Sequence, residues 1–335
     1  IVCCLNDMIG RLLRKNQVSS DFVYEAVIAG NTAMNHLLLG LPVTTLAVSP
    51  YQAFFSALPA LSAVETGLGI SPMGRVYIAP NIKSFVGGDI SAGLSAVDIE
   101  HQKGNFLFVD LGTNGEIVLK KGVRLTATST AAGPAFEGMT ISCGMLALPG
   151  AVYKARFKDG LVVETISGGP ARGVCGTGLI DIIAVMLDRG FISARGHILG
   201  PAKKIGVTAD LSLNQQDIRE VQLAIAAMKT GIRILLAKNK MAVKDLDGIY
   251  VAGAFGNYLH IPHSMKLGLL PYIDRKKIFF VGNSSLAGAR ALLLSRPERV
   301  RCERLAKRVR HVSLAKDAEF QTMFIEALEF RAWNS

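Results

Sequence analysis

FLFVDLGTNGEIVL, residues 106–119, reads as a strand, a tight glycine-bearing turn and a second strand. Phe106–Val109 and Ile117–Leu119 are apolar runs of strand length, rich in residues that suit a pleated, buried surface. Asp110 enters the turn, and Gly112, Thr113, Asn114 and Gly115 form it. Such a turn aims successive backbone N–H groups at an anion such as a phosphate, and a carboxylate at its mouth suits a hydrated magnesium ion. Asn114-Gly115 is also among the best hairpin pairs, so a purely structural turn competes with this reading. Asp110 weighs against that alternative. A carboxylate ending a buried strand needs a partner, because an unpaired buried charge is costly.

Far downstream, VAGAFG (Val251–Gly256) reads as a buried strand, a glycine turn and the start of a helix. Gly253, Ala254, Phe255 and Gly256 would admit the other end of a nucleotide, although close strand–helix packing calls for glycines equally well. Gly282-Asn283-Ser284 and Cys175-Gly176-Thr177-Gly178 repeat the strand–turn–helix design, whose helix N-termini suit anions. Cys175 reads as a small packing residue rather than a nucleophile. None of these turns is a Walker loop or a dinucleotide fingerprint, so the set points to a different nucleotide fold.

Asp89, in VGGD, and Glu137, in AAGPAFEG, are isolated acids in glycine-rich turns. Phosphoryl transfer needs mainly positioning and charge stabilisation, so each is a candidate to orient a water or take a proton. For Asp89 a helix cap is the competing role. His36 lies on a helix with Leu37–Leu39 and reads as a core or interface histidine rather than a ligand. His260 and His263 flank Pro262, but no third metal ligand lies near them in the sequence.

The chain has 335 residues, half of them hydrophobic and 19% charged, enough for a large core and two lobes. No uncharged apolar run reaches the roughly 18 residues of a membrane helix. Ile1–Gly10 lacks the basic, then apolar, pattern of a signal peptide, and Ile1 is not methionine, so the chain reads as the interior of a longer protein. Five cysteines without a CxxC pair support neither a zinc site nor an iron–sulfur cluster within it; free thiols fit a reducing cytoplasm. Much of the net charge of +11 sits in Arg296–Arg310 (RPERVRCERLAKRVR). A solvated helix face is the plain reading and an acidic partner protein the second. Nucleic acid ranks last, since no aromatic residues interleave with the bases.

Along the chain, an opening helix carries Leu5, Ile9, Leu12 and Leu13 on one face. A strand over Phe22–Ala29, an irregular stretch over Pro42–Ile70, a strand over Arg75–Ala79 and a small-residue helix over Ile90–Ala96 follow. The polar break Asp98–Asn105 separates residues 1–104 from 105–335. The second part carries the hairpin, a strand over Val123–Thr128, the glycine-rich region Thr130–Pro149, a second hairpin around Asp159-Gly160 and a long helix over Asn214–Lys238. Strands alternating with helices predict an α/β fold of mixed sheets flanked by helices.

Eight motifs in order, AGNTAMNHLLLG (29–40), VGGD (86–89), DLGTNGE (110–116), AAGPAFEG (131–138), GVCGTGLID (173–181), VAGAFGNYL (251–259), LGLLP (267–271) and GNSSLAGA (282–289), resemble the sugar kinase, actin and heat-shock chaperone (ASKHA) superfamily, and within it the reductive activators of corrinoid proteins. The resemblance implies two related lobes with ATP between them. Residues 1–104 would be a partial first lobe lacking its opening hairpin, and 105–335 the second lobe. It further implies Asp110 as the magnesium-holding residue through water, Gly112–Gly115 as the phosphate cradle, Gly253–Gly256 as the adenosine side, and Asp89 or Glu116 as the residue positioning water. ATP hydrolysis would drive reduction of an inactive cob(II)amide centre on a corrinoid methyl-carrier protein, with electrons from a [2Fe–2S] cluster in a separate N-terminal domain. A lysine would stand where Ile225 does, and Lys229 lies one turn on. A small-molecule kinase of the same fold and a non-catalytic adaptor are the alternative readings. A homodimer stays open.

Overall fold

Buried alternation builds the central hairpin. In the computed structural model, which describes residues 1–201, 203–253 and 259–333, Leu107, Val109 and Leu111 of one strand and Ile117 and Leu119 of the next all enter one apolar core. The two strands pair antiparallel, with Asp110 opposite Glu116 and Leu111 opposite Gly115. Because side chains alternate faces, Asp110 and Glu116 share the sheet face away from that core.

The elements in chain order are α1 (Val2–Asn16), β1 (Glu25–Ile28), α2 (Thr32–Leu38), α3 (Thr44–Ala47), β2 (Leu61–Ser62), α4 (Ala63–Thr66), β3 (Arg75–Ile78), α5 (Gly88–Ala96), β4 (Phe106–Leu111), β5 (Gly115–Lys121), β6 (Arg124–Thr130), β7 (Ala151–Phe157), β8 (Leu161–Thr165), β9 (Gly173–Val174), α6 (Gly176–Asp188), β10 (Lys204–Gly206), β11 (Ser212–Asn214), α7 (Gln215–Lys238), β12 (Gly248–Ala252), α8 (Ile261–Leu267), β13 (Ile278–Gly282), α9 (Ser284–Leu294), α10 (Arg296–Arg308), β14 (Arg310–His311) and α11 (Phe320–Ala327).

They group into two compact units. The first holds Ile1–Lys103, Val123–Ala127 and Asn283–His311, and the second Gly104–Gly122, Thr128–Gly282 and Val312–Ser335. In the first, β3 pairs in parallel with β1 and antiparallel with β2, and β14 runs parallel to the start of β6. Helices α5 and α9 touch so closely that a Cβ on Gly288 would fall on the backbone carbonyl of Ala92. The stretch read as irregular holds α3, β2 and α4, and Ser62 with Glu65 forms a capping box at the start of α4.

In the first unit, α10 is more than a solvated basic face. Arg299 pairs with Glu25 at 2.6 Å, Arg301 with Asp98 and Glu298 at 2.5 and 2.6 Å, and Arg308 with Glu100 at 2.6 Å. Three of the seven basic residues of the run are therefore paired with acids of their own unit.

In the second unit, β12 lies in parallel between β4 and β13. Helices α6 and α7 supply much of the core beneath these strands. Gly231 of α7 lets the helix approach, since a Cβ there would press on Thr130 and Ile117. Helix α7 begins at a capping box in which Asn214 accepts from the N–H groups of Gln216 and Asp217, while Asp217 accepts from that of Asn214 at 2.7 Å. The Asp217 carboxylate also accepts from the N–H and the hydroxyl of Ser142, at 2.7 and 2.6 Å, and so fastens the glycine-rich loop to the helix start.

Candidate functional site

Three parallel strands of the second unit end side by side, β4 at Leu111, β12 at Ala252 and β13 at Gly282. The carboxyl ends of parallel strands are where open α/β sheets bind ligands. Asp110 stands at this edge, in register with Ala252 on one side and Glu116 on the other. Gly253 follows with φ +96°, and its N–H donates to Gly282 O at 3.0 Å. A Cβ at Gly253 would lie 2.8 Å from Leu111 O and 3.1 Å from Asp110 Oδ1, so only glycine leaves the space beside that carboxylate open. Gly282 also has positive φ, at 58°.

The turn Gly112–Asn114 is held from the glycine-rich loop. Gly133 N donates to Thr113 O at 2.9 Å, and Thr113 Oγ1 donates to Glu137 Oε1 at 2.7 Å. The other carboxylate oxygen, Glu137 Oε2, is buried and has no partner among the described residues. Gly115 begins β5 where a side chain would collide with Met228 and Thr130. Glu116 is buried beside Asp110's register position. Asp110, the hairpin turn, Gly253 and Gly282 thus meet at one edge, and the structure adds Glu137 to them.

The other sequence candidates take different places. Gly176, Thr177 and Gly178 open α6 and are buried; Cys175 N donates to Val152 O at 3.1 Å, and a Cβ on Gly178 would strike that same carbonyl. Their backbone is bound up with β7, and buried Cys175 has the packing surroundings expected of it. Asn283 belongs to the first unit, where it caps α9 by accepting from Leu286 N at 2.9 Å. Asp89, also in the first unit, lies in the first turn of α5; its carboxylate accepts from Ile90 N at 2.8 Å and its own N–H donates to Gly30 O. Burial pushes the Asp89 carboxyl above its usual range, against the lowering effect of these backbone N–H groups. Ala254, Phe255 and Gly256 lie outside the described residues.

Ile225 is wholly buried in the core, and Lys229 is spent on a structural bond, its ammonium donating to Arg331 O at 2.8 Å. Burial, reinforced by Arg233 and Arg331, pushes Lys229 down to about 8. The unfolded lysine titrates near 10.4, so between these values the unfolded chain holds the extra proton and stability from this group rises with pH. Below pH 8 the penalty is present in full. Measured by urea unfolding, the stability of Lys229→Met relative to the parent should therefore fall by about 2 kcal/mol between pH 7.5 and pH 10; a pH-independent difference would refute the assignment.

The family models now bear on this edge. The C-terminal domain of RACo, the ASKHA domain, matches residues 104–335, and the RACo middle region matches residues 1–102. The chain belongs to the RACo family. A solved relative, a reductive activator for corrinoid, iron–sulfur protein, superposes on 99% of the chain with a TM-score of 0.91 at 33% identity. Among curated relatives, the corrinoid activation enzyme RamQ of Eubacterium limosum is 33% identical over 343 residues, 94% of this chain. The [Co(II) methylated amine-specific corrinoid protein] reductase of Methanosarcina barkeri is 29% identical over 281 residues, 76% of this chain. The chain spans 58% and 52% of the lengths of these two proteins and 56% of the solved one. The ASKHA fold of mixed sheets and flanking helices is the one expected from the motifs. Among the described residues, no helix is long and apolar enough to cross a membrane.

Proposed function

We propose that this chain is the ATP-binding and ATP-hydrolysing part of a reductive activator that drives reduction of an inactive cob(II)amide centre on a corrinoid protein. One observation carries the reading: Asp110, the turn at 112–115 and the Cβ-free space at Gly253 converge at the carboxyl ends of parallel strands. The relatives' names support the corrinoid protein as partner. Residues 1–104 belong, on this reading, to the first lobe and 105–335 to the second.

Backbone N–H groups of Gly112–Gly115 would hold the phosphates, and Gly253–Gly256 with Gly282 the nucleoside side. Gly176–Gly178 and Asn283 remain candidates for further contacts. The Asp110 carboxylate, which no side chain at Gly253 crowds, would hold a hydrated magnesium ion through water. When bound, the ion supplies charge neutralisation on the phosphate oxygens. Glu137, with one oxygen on Thr113 and the other buried without a partner among the described residues, is, like Asp89 and Glu116, a candidate for positioning water. Electrons would come from a [2Fe–2S] cluster on a separate domain. The cysteines present do not suit one: Cys3 and Cys4 are exposed, Cys175 and Cys302 buried, and no three gather among the described residues.

Calorimetric titration with Mg-ATP tests the site, and ATP hydrolysis measured with and without a cob(II)amide corrinoid protein tests the function. Binding, with hydrolysis stimulated by the corrinoid protein, is expected. Absence of binding, or phosphoryl transfer to sugars or acids faster than hydrolysis, would overturn the reading. In the same assay Glu137→Gln should lower kcat on the order of 100-fold while leaving ATP affinity near that of the parent. An unchanged kcat would remove Glu137 from the chemistry.

A further inference from the structure

Helix α8 follows its N-cap residue His260, with Pro262 in the first turn, where a missing N–H costs nothing. His260 and His263 fall one turn apart, with ring centroids 4.1 Å from each other. Both face Asp181 of α6, a carboxylate only 2% exposed. The sequence offers no third ligand near these histidines. The fold brings one from α6, on the far side of the chain's longest helix in sequence.

His263 Nδ1 lies 2.6 Å from Asp181 Oδ1, and His260 Nδ1 lies 3.8 Å from the same oxygen. All three ligand atoms fall within 4.8 Å of one another. Asp181 Oδ2 accepts from Ala155 N at 3.2 Å, which fixes the carboxylate plane. The telling atom is His260 Nδ1. It is buried and without a hydrogen-bond partner among the described residues, although the side chain as a whole is 41% exposed. With the carboxylate oxygen beyond hydrogen-bond reach, this nitrogen is poorly placed for a direct contact and well placed for a shared cation. Bonds of about 2.0–2.2 Å in a tetrahedral shell put ligand atoms roughly 3.3 Å apart, between the two separations seen here.

We propose that Asp181, His260 and His263 form a binding site for one divalent transition-metal ion, zinc by its ligand chemistry. Two imidazoles and one carboxylate suit zinc, with nickel and copper as competitors in vitro. The metal takes the place of the proton shared by His263 and Asp181. A fourth position opens on a cavity of about 450 Å³ lined by Lys154, Arg156, Phe157 and Arg189. Lys154 and Arg156 are paired with Glu164 at 3.6 and 2.7 Å, so this rim opposes a bound cation less than its basic residues suggest. The rim also favours an anion or hydroxide as the fourth ligand. The ion would join α6 to α8, independently of nucleotide.

Cobalt(II) serves as the probe, titrated into chelator-treated protein without ATP. A chain carrying Cys3→Ser and Cys4→Ser is used, since both thiols are exposed. Intense visible d–d absorption saturating at one equivalent, and its displacement by zinc, are expected. His260→Ala removes an exposed side chain and should weaken binding at least tenfold, on the order of a ligand or ligand-orienting loss. His263→Gln, which retains bulk, provides the second variant should the first disturb α8 by circular dichroism. Absence of the bands in the parent, or parental affinity in either folded variant, would overturn the site. Neither result depends on whether the chain binds ATP.

Discussion

Asp110→Asn is expected to lower ATP turnover on the order of 100-fold or more in the protein that carries this chain. The exchange preserves shape and the strand pairing of β4, so the hairpin itself should persist. What is lost is the negative charge at the end of the strand, beside the space left by Gly253. The loss should come with weakened dependence on magnesium, measured as the midpoint of a magnesium titration of the ATPase. Undiminished turnover would remove Asp110 from the metal-holding role. Gly253→Ala offers a converse check. It keeps the charge but places a methyl group against Leu111 O at an unfavourable φ, and should impair the same step for a steric reason.

Gly288→Ala should cost at least about 2 kcal/mol of stability, because its Cβ meets the backbone carbonyl of Ala92 and not a movable side-chain tip. To admit even one methyl group, α5 and α9 must separate along their contact. Gly160→Ala is the matched control. Nothing lies within 4 Å of the Cβ built there, and its effect should stay within about 0.5 kcal/mol. Urea unfolding of the two variants decides the matter, and equal midpoints would show that the helix contact yields easily.

Local signals were what made the strand-end edge legible in the sequence. FLFVDLG and VAGAFG each mark a buried strand stopped by glycine, and both strands lie where expected, in parallel contact through β4 and β12. The Asn214–Asp217 capping box joins residue types three apart, and the structure brings it to light at the start of the expected helix. What escaped is non-local. The link from Thr113 to Glu137 spans 24 residues and the link from Asp181 to His263 spans 82, and no spacing rule connects such pairs. The acids that receive the α10 arginines are equally distant, with Glu25 lying 274 residues before Arg299. The helix expected after VAGAFG is described from Ile261 onward, with Pro262 in its first turn, where proline is compatible with a helix. The capping box at Ser62 and Glu65 was present in the sequence but masked by Pro50 and Pro59 nearby.

As a polymer, the glycine-rich segment between β6 and β7 is not one long loop. The Asp217 carboxylate grips Ser142 near its middle, and Gly133 is tied to Thr113 near its start. Each tie closes a shorter ring of chain, and the entropy of ordering grows with the logarithm of ring size. Insertions between Gly133 and Ser142 therefore lengthen a ring that holds Glu137, whereas insertions after Met145, beyond the bonds of Cys143 and Met145 to Val174, lengthen one that does not. Length variation among natural homologues should accordingly concentrate on the C-terminal side of Met145.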